Sequence, residues 1–267
     1  MNKIQESFPK EFLEVSDGKT IPRKLSCLAC KDGAGLDFEF TMAFQPIIDA
    51  TNKKVYSQEA LVRGLNQESA YHILSNVTEK NRYLFDQACR VKAIELASRL
   101  KIDSYLNINF LPNAVYRPES CIRTTLEASK TFLFPANRII FEITEGEEVI
   151  DHAHIVSIFK EYRNMGFLTA IDDFGAGYSG LNLLAKFPPD IIKLDMELIR
   201  DVDKNKTAQI IIKGMMNICN ELNILVIAEG IETISEYTTL LDLGIRYYQG
   251  FLFAKPTFEN LSPINYY

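Results

Sequence analysis

Residues 190–228 read DIIKLDMELIRDVDKNKTAQIIIKGMMNICNELNILVIA, and this stretch decides the fold class. It opens with a strand-like apolar run at 190–194 and closes with a second one at 224–228. Between them, residues 206–222 place apolar side chains at helical spacing, with Asn205 or Thr207 as the predicted N-cap. A strand, a helix and a second strand in succession predict a βαβ unit, in which the two strands are parallel.

The same alternation extends through most of the chain, with eight strand-like runs and four clear helical patterns. The strand-like runs lie at 41–47, 54–64, 104–109, 138–143, 167–171, 190–194, 224–228 and 245–249, and the helical patterns at 80–101, 147–165, 206–222 and 233–243. Thr233 is a predicted N-cap, and Gly166 and Gly244 are predicted to follow helix ends. This alternation indicates a parallel sheet, either open and doubly wound or closed into a barrel. None of the eight is obviously an edge strand weakened by Pro or Lys, which favours the closed barrel.

The composition narrows the class of protein. The 267 residues include 29 basic and 35 acidic ones, a formal net charge of −6, so we expect no DNA partner. No apolar run approaches the roughly 20 residues of a transmembrane helix, and the first thirty residues contain no apolar signal-peptide core. We therefore expect a cytoplasmic protein without membrane insertion. Its predicted organisation is a leader with little regular structure at 1–40 and one barrel domain at 41–267.

The cysteines predict neither a disulfide framework nor a zinc site. Their number is odd and most are scattered, which is unusual for a disulfide-stabilised chain. Cys27 and Cys30 form the one close pair, but no second pair or nearby histidine supplies the two further ligands that zinc needs.

Polar side chains stand at the ends of seven successive predicted strands, where a barrel enzyme carries its catalytic groups. They are Glu59, Asn109, Glu142, Asp172 together with Asp173, Lys193, Glu229 and Gln249. Each one alone fits a satisfied polar residue at a strand end. Together, five carboxylates and one lysine would place a charge of about −4 in one cavity. Two divalent cations would cancel it, and oxygen-only ligands without His or Cys indicate Mg²⁺ or Mn²⁺.

Two neighbouring hard cations held by carboxylates are typical of phosphoryl-transfer sites. The adjacent Asp172 and Asp173 could each contact one ion, and Lys193 could hydrogen-bond the attacking water or steady the charge on the phosphate. The glycine-rich segment 173–181 is either an ordinary connection or, beside the two aspartates, a mobile active-site loop. Arg63 shares a strand face with Glu59 and could donate two N–H groups to a phosphate.

Eight motifs, in order, make the sequence resemble the EAL-domain phosphodiesterases that act on cyclic di-GMP. The naming motif is Glu59-Ala60-Leu61, extended by Val62-Arg63. The other motifs are Phe44-Gln45-Pro46-Ile47, Asn109-Phe110-Leu111-Pro112, Glu142-Ile143-Thr144-Glu145, the loop at 172–181, Lys193-Leu194-Asp195, Ala228-Glu229-Gly230-Ile231-Glu232 and the segment from Gln249 to Pro256. Leu111 stands where the family commonly has Ser, and Ala176 where it commonly has Thr. Neither position supplies a metal ligand.

The resemblance implies an α/β fold, a TIM-like (β/α)8 barrel whose first strand is antiparallel to the rest. It implies hydrolysis of cyclic di-GMP to linear pGpG with two divalent cations, Mg²⁺ or Mn²⁺, which lowers the second messenger in bacterial signalling, and a homodimer. It assigns cation binding to Glu59, Asn109, Glu142, Asp172, Asp173 and Glu229, and catalysis to Lys193 together with Glu59 and Glu229. It assigns substrate contacts to Gln45, Leu61, Arg63, Asp195 and Gln249, and bracing of the loop after Asp173 to Glu145 and Glu232.

Two other functions stay open at this point. A catalytically idle EAL domain would bind cyclic di-GMP or a protein partner, but such domains typically lack a metal ligand or the glycine-rich loop, and this sequence has both. A barrel enzyme for another phosphorylated substrate fits the oxygen-only site but not the full set of motifs. The sequence therefore favours an active phosphodiesterase.

Overall fold

Eight strands form one closed sheet in the computed structural model, which describes residues 13–16, 19–22, 35–115, 118–144, 152–176 and 180–267. The strands are β1 (Thr41–Asp49), β2 (Lys54–Arg63), β3 (Tyr105–Asn109), β4 (Ile139–Thr144), β5 (Leu168–Phe174), β6 (Ile191–Leu194), β7 (Leu225–Ala228) and β8 (Tyr247–Tyr248). They pair in chain order, and β8 pairs back onto β1. β1 is antiparallel to β2 and β8, whereas the other neighbours are parallel. The predicted TIM-like barrel with an antiparallel first strand is confirmed.

The connections between the strands hold the helices of the described part of the chain. These are α1 (Ala70–Leu74), α2 (Arg82–Arg99), α3 (Pro118–Thr131), α4 (His152–Asn164), α5 (Gly180–Lys186), α6 (Met196–Ile199), α7 (Lys206–Leu222) and α8 (Ile234–Asp242). The helical patterns in the sequence predicted α2, α4, α7 and α8. A short strand at Thr257–Phe258 adds to β1 after the barrel has closed.

The predicted helix ends have the expected capping geometry. The side chain of Asn205 accepts a hydrogen bond from the Ala208 N–H over 3.1 Å, so Asn205 and not Thr207 caps α7. Thr233 begins α8 with a capping box shared with Glu236. Gly166 and Gly244 have φ values of +89° and +93°, the left-handed conformation that glycine adopts most readily after a helix.

The inside of the barrel has an apolar layer beneath a polar layer, and strand periodicity produces both. Side chains two residues apart on a strand point to the same face. The apolar layer consists of Ile47, Ile140, Ala170, Ile191 and Ile227, all fully buried. Two residues from them along the same chain stretches stand Gln45, Glu142, Asp172, Lys193 and Glu229. The polar layer therefore lies at the carboxyl ends of the parallel strands and packs on the apolar layer.

The opposite faces of the strands carry the larger hydrophobic core. Ile108, Phe141 and Ile192 belong to one cluster with Val91 of α2 and Ile158 of α4, and all five are buried. The alternating strand pattern thus separates an outer core, which holds the helices against the barrel, from the inner layers.

A salt bridge supports the closure between β1 and the short strand β8. The Nε and Nη2 atoms of Arg246 lie 2.9 and 2.6 Å from the two carboxylate oxygens of Asp49. The Ala50 N–H donates to the Arg246 carbonyl oxygen over 3.0 Å. Hydrogen bonds from Arg246, against the opposing effect of burial, hold the pKa of Asp49 at about 2. The ionised carboxylate of Asp49 therefore favours the closed barrel.

We expect the Asp49→Asn variant to be less stable than the unchanged chain near neutral pH, and the difference to disappear as the pH falls. The folded-state pKa of Asp49 lies below the roughly 3.9 of an unfolded aspartate, so Asp49 stabilises the fold above about pH 4. This contribution is lost between about pH 4 and about pH 2. Urea unfolding of both proteins across this range measures the effect. A difference that stays constant down to about pH 2 would contradict the assignment.

The N-terminal segment contains more regular structure than the sequence analysis expected. Leu13–Ser16 and Lys19–Pro22 pair as two antiparallel strands, a hairpin that the sequence analysis did not predict. The physical reason is in the sequence, because Asp17-Gly18 between two strand-forming runs is a strong hairpin signal. The division into a leader at 1–40 and a domain at 41–267 stays a prediction.

Three sequence features lie outside the described residues: the Cys27–Cys30 pair, Glu145, and residues 177–179 of the glycine-rich segment. Where the structure does describe the chain, none of its helices has the length and apolar character needed to cross a membrane.

Candidate active site

Lys193 stands at the centre of the polar layer among four carboxylates. Its Nζ lies 2.7 Å from Glu229 Oε1, 3.1 Å from Asp172 Oδ1, 3.2 Å from Glu142 Oε2 and 3.3 Å from Glu59 Oε2. The Lys193 side chain is 0% exposed. Five different strands or strand ends supply these groups, so the structure brings together residues that the strand-end pattern had picked out.

One lysine cannot balance four carboxylates, and the pKa values of Glu142, Glu229 and Asp172 shift in different directions. Burial, partly offset by Lys193, raises the pKa of Glu142 to about 8. Burial and the neighbouring Asp172 raise the pKa of Glu229 well above its ordinary value. Burial would also raise the pKa of Asp172, but Lys193 and a hydrogen bond from Glu229 outweigh it and lower this pKa. Without cations the site thus retains protons, which divalent ions would displace on binding.

Two groups of carboxylates have the spacing needed to hold a cation, and they share one residue. The first group is Glu59, Glu142 and Asp172, and the second is Asp172, Asp173 and Glu229. Within each group, one oxygen from every residue lies within 4.8 Å of the others. Asp172 therefore belongs to both groups and would be a ligand in either. Carboxylate oxygens without nitrogen or sulfur donors fit hard cations such as Mg²⁺ and Mn²⁺.

An irregularity in the strand pairing lets Asp172 and Asp173 face the same site. In a regular strand, consecutive side chains point to opposite faces. The register between β5 and β6 shifts between Ile171 and Phe174, and Asp173 has a φ of +52°. Burial, together with Asp172 and Asp195, raises the pKa of Asp173 to about 6. Such irregularities change the direction of side chains next to active sites, and this one lets Asp173 join the second carboxylate group.

Amide side chains orient Glu59. Asn109 Nδ2 donates to Glu59 Oε1 and Gln249 Nε2 donates to Glu59 Oε2, each over 2.8 Å. Gln249 Nε2 also donates to Gln45 Oε1 over 3.2 Å, and Gln45 Nε2 donates to the Ala254 carbonyl oxygen. These contacts fix the Gln249 amide and leave its buried Oε1 without a hydrogen-bond partner among the described residues. A buried acceptor of this kind is suited to holding a ligand or a water molecule.

Asn107 belongs to the site but was not predicted. Its side chain is fully buried, and its Nδ2 donates to Oε1 of Glu142. Asn107 lies two residues before Asn109 on β3 and shares its face, so period-two spacing is the sequence signal that could have found it. By orienting Glu142, it supports one of the candidate cation ligands.

A cleft of about 290 Å³ opens above the carboxylates. Seven residues predicted from the sequence line it: Gln45, Glu59, Asp172, Asp173, Glu229, Glu232 and Gln249. Met196 and Phe251, both roughly half-exposed, add apolar surface to its walls. The cleft thus combines a base of carboxylates with an apolar rim, which suits a ligand that has both polar and apolar parts.

The other predicted substrate contacts have different surroundings. Leu61 borders a separate apolar cavity between the barrel and α2. The half-buried Arg63 donates from Nη1 to the Val62 carbonyl oxygen over 2.7 Å. Asp195 caps α6 by accepting the Glu197 N–H over 2.8 Å. The predicted substrate contacts of these three residues stay predictions.

Of the two predicted loop-bracing residues, Glu232 lies in the described part of the chain. Glu232 forms two contacts with Arg200, at 3.0 and 3.1 Å, at the edge of the cleft. Glu145 lies outside the described residues. The bracing role of both residues therefore stays a prediction.

Gly250 permits a close backbone approach that places Gln249. A Cβ atom at this position would lie 2.1 Å from the carbonyl oxygen of Ile231 and 2.4 Å from its nitrogen. The Ile231 N–H donates to the Gln249 carbonyl oxygen over 3.2 Å, and the Leu252 N–H donates to the Ile231 carbonyl oxygen over 3.0 Å. We expect Gly250→Ala to force these segments apart and to lower the free energy of unfolding by about 1–3 kcal/mol.

Gly214 on α7 provides the matched control for this substitution. A Cβ atom there would have no heavy atom within 4 Å, and its backbone is helical. Gly214→Ala should therefore raise stability by about 0.4–1 kcal/mol. Urea unfolding of both variants measures the contrast, and a Gly250→Ala variant as stable as Gly214→Ala would contradict the expectation.

Comparison with known proteins gives a consistent set of matches. The model of the EAL domain family matches residues 34–256. The blue light- and temperature-regulated antirepressor BluF of Escherichia coli is 31% identical over 270 residues, which cover 96% of this chain and 67% of that protein. The cyclic di-GMP phosphodiesterase PA2567 of Pseudomonas aeruginosa is 29% identical over 230 residues, 83% of this chain and 39% of that protein. The chain thus spans about two thirds of one relative and well under half of the other.

Solved structures of two proteins are similar to the barrel of this chain. A standalone versatile EAL protein from Vibrio cholerae O395, in its c-di-GMP-bound form, is 55% identical with a TM-score of 0.84, covering 86% of this chain and 98% of that one. BlrP1 from Klebsiella pneumoniae, in a manganese and cyclic di-GMP complex, is 36% identical with a TM-score of 0.79, covering 82% of this chain and 56% of that one.

Proposed function

This chain belongs to the EAL domain family, and from that premise we propose that it is a metal-dependent phosphodiesterase which hydrolyses cyclic di-GMP to linear pGpG. The observation that carries the proposal is the pair of carboxylate groups that share Asp172 and surround Lys193. The bound ligand and manganese in the similar structures support the choice of substrate and cofactor. Two Mg²⁺ or Mn²⁺ ions and the catalytic roles of Glu59, Lys193 and Glu229 are part of the same proposal.

The cation ligands in this proposal are the two carboxylate groups together with Asn109. When bound, the cations lower the pKa of water and stabilise charge on the phosphate. The protein supplies a fixed set of oxygens, with Glu59 held by two amides and Glu142 held by Asn107. Lys193 offers N–H donors in the middle of the site, where it can hydrogen-bond the attacking water or a phosphate oxygen. Gln249 Oε1 is an acceptor for the same water or for the ligand.

The cleft supports a cyclic dinucleotide as the substrate. Its carboxylate floor would hold the cations that contact one phosphate, while Met196 and Phe251 offer apolar surface to the bases. Direct contacts of Gln45, Leu61, Arg63 and Asp195 with the substrate are part of the proposal. So are a homodimer and a cytoplasmic location, and sedimentation of the purified chain with and without ligand tests the dimer.

A second function is favoured by one relative. BluF is named an antirepressor, so one relative with extensive similarity carries a name that describes regulation and not hydrolysis. In this function the chain would bind cyclic di-GMP or a protein partner without turnover. The complete set of acidic side chains around Lys193 supports the enzyme, because a site that only binds does not need two overlapping cation positions.

Incubation with cyclic di-GMP, followed by chromatography for pGpG, decides between the two functions. We expect product with Mg²⁺ or Mn²⁺ and none in excess EDTA. Binding of cyclic di-GMP with no product in either metal would favour the second function. Release of product at an equal rate in EDTA would contradict the metal-dependent mechanism.

A further inference from the structure

A buried salt bridge lies next to the segment that follows Asn109. Asp86 and Arg90 stand one turn apart on α2, and Arg90 Nη2 lies 2.8 Å from Asp86 Oδ2. Their side chains are 1% and 0% exposed. Removing two charges from water costs several kcal/mol per ion, so a pair in this position is retained only with further favourable contacts. Those contacts lead towards the candidate active site.

Asp86 holds the backbone that follows Asn109. Its Oδ1 accepts a hydrogen bond from the Leu111 N–H over 2.9 Å. The Phe110 N–H, one residue earlier, donates to the Glu142 carbonyl oxygen over 3.0 Å. The two residues after Asn109 are therefore tied to α2 and to β4, and the end of β3 is fixed between them.

Arg90 adds contacts with three aromatic rings. Its guanidinium carbon lies 5.4 Å from the ring centre of Phe110, 4.9 Å from that of Phe141 and 5.6 Å from that of Tyr162. Its Nη1 donates to the Tyr162 hydroxyl over 2.8 Å. Cations over aromatic faces are stabilised when they are shielded from water. Because Phe110 follows Asn109 and Phe141 precedes Glu142, these contacts also restrain the neighbours of two candidate ligands.

We propose that Asp86, held by Arg90, is a positioning residue that fixes Asn109 for binding a divalent cation. This proposal rests on the proposed function, which makes Asn109 a cation ligand. Asp86 pairs with Arg90 and accepts hydrogen bonds from Gln87 and Leu111, so it acts on the site through the Asn109 segment. Asn109 in turn donates to Glu59 over 2.8 Å. Loss of the hydrogen bond from the Leu111 N–H would let the Asn109 amide move. Glu59 would then lose one of the contacts that orient it.

Two double variants separate the hydrogen bond from the charges. Asp86→Leu with Arg90→Met replaces the pair by apolar side chains of similar volume, an exchange that is often neutral or stabilising. It also removes the acceptor for the Leu111 N–H. Asp86→Asn with Arg90→Gln removes both charges as well but keeps a carbonyl oxygen for that N–H. Among the hydrogen bonds of the Asn109 segment, the two variants therefore differ in the bond that the proposal concerns.

The test measures Mn²⁺ binding by electron paramagnetic resonance of the free ion, with thermal unfolding on the same samples. We expect D86L/R90M to bind Mn²⁺ about tenfold more weakly at a similar Tm, as when a residue that orients a metal ligand is lost. D86N/R90Q should bind Mn²⁺ about as tightly as the unchanged chain. Adding Asn109→Ala to D86L/R90M should weaken binding little further, because both changes act on the same ligand.

Equal Mn²⁺ affinity in D86L/R90M and the unchanged chain would overturn the positioning role, as would a fully additive loss when Asn109→Ala is added. If D86L/R90M does not fold, Leu111→Pro removes the same N–H and leaves both charges in place. Leu111 has an extended backbone, with φ −94° and ψ 107°. Unreduced affinity in Leu111→Pro would then overturn the role. No Mn²⁺ binding by the unchanged chain would overturn the proposed function and the positioning role together.

Discussion

The Asp172→Asn variant is expected to lose cyclic di-GMP hydrolysis almost completely, with kcat/KM about a thousandfold below that of the unchanged chain, the upper range for loss of one electrostatic group. Asp172 belongs to both carboxylate groups, so its replacement would weaken both proposed cation positions at once. It also lies 3.1 Å from Lys193 Nζ, at the centre of the charged layer. Asparagine has nearly the same shape as aspartate, so the loss would report charge and not packing.

Asp242→Asn is the matched control for this experiment. Asp242 is exposed at the end of α8 and belongs to neither carboxylate group, so the same chemical change there should leave kcat/KM unchanged. Mn²⁺ binding to both variants shows whether the loss follows the cations. Lys193 and Glu229 hold the pKa of Asp172 below its ordinary value, so we expect the metal-free variant to lose some stability, and its unfolding is measured on the same samples. Hydrolysis by Asp172→Asn at a rate like that of Asp242→Asn would remove the shared-ligand assignment.

The Lys193→Met variant should show the largest loss of stability. Lys193 is fully buried and lies within 3.3 Å of four carboxylates. Removal of one partner from a buried ion pair typically costs 3–5 kcal/mol, and we expect about that loss in EDTA near neutral pH. The carboxylates can take up protons in response, so the loss should be smaller at about pH 5 than at about pH 8. Urea unfolding at the two pH values measures it.

Mn²⁺ distinguishes the electrostatic explanation from a simple packing defect. If the missing charge is the cause, saturating Mn²⁺ should restore more stability to Lys193→Met than it adds to the unchanged chain, and about 2.7 kcal/mol is available at a hundredfold excess over Kd. Turnover should stay slow while KM changes little, because Lys193 is proposed to act on water or phosphate and not to bind the ligand. Lys213→Met, at an exposed position on α7, is the control. A loss of stability that is equal at the two pH values and is not reduced by Mn²⁺ would contradict this account.

The barrel and most of the candidate site could be predicted because both follow from periodicity. Strand and helix patterns predicted eight strands, and polar residues at the ends of seven of them predicted where the side chains meet. Asn107 was missed because only strand-end positions were searched. It lies two residues before Asn109, which is at the end of β3, and the period-two rule places both side chains on the same face. The antiparallel first strand came from the family resemblance, because hydrophobic pattern alone does not report strand direction.

The contacts between distant residues could not be predicted. Asp86 and Arg90 have the spacing of an ordinary exposed helical pair, and only the packing of α2 against the barrel shows that both are buried. Asp49 and Arg246 are nearly two hundred residues apart, so no local pattern joins them. The irregularity at Asp173 was equally hidden, because a regular strand would have turned that side chain away from the site.

The alternation of an apolar layer and a charged layer has a consequence for how the barrel folds. A shift of any one strand by a single residue would exchange its inward and outward side chains. Lys193 or Glu142 would then lie in the outer hydrophobic core, against the helices. Misregistered barrels are therefore strongly disfavoured by the cost of burying an unpaired charge. The side chains that are proposed to serve catalysis would thus also disfavour incorrect strand registers while the barrel folds.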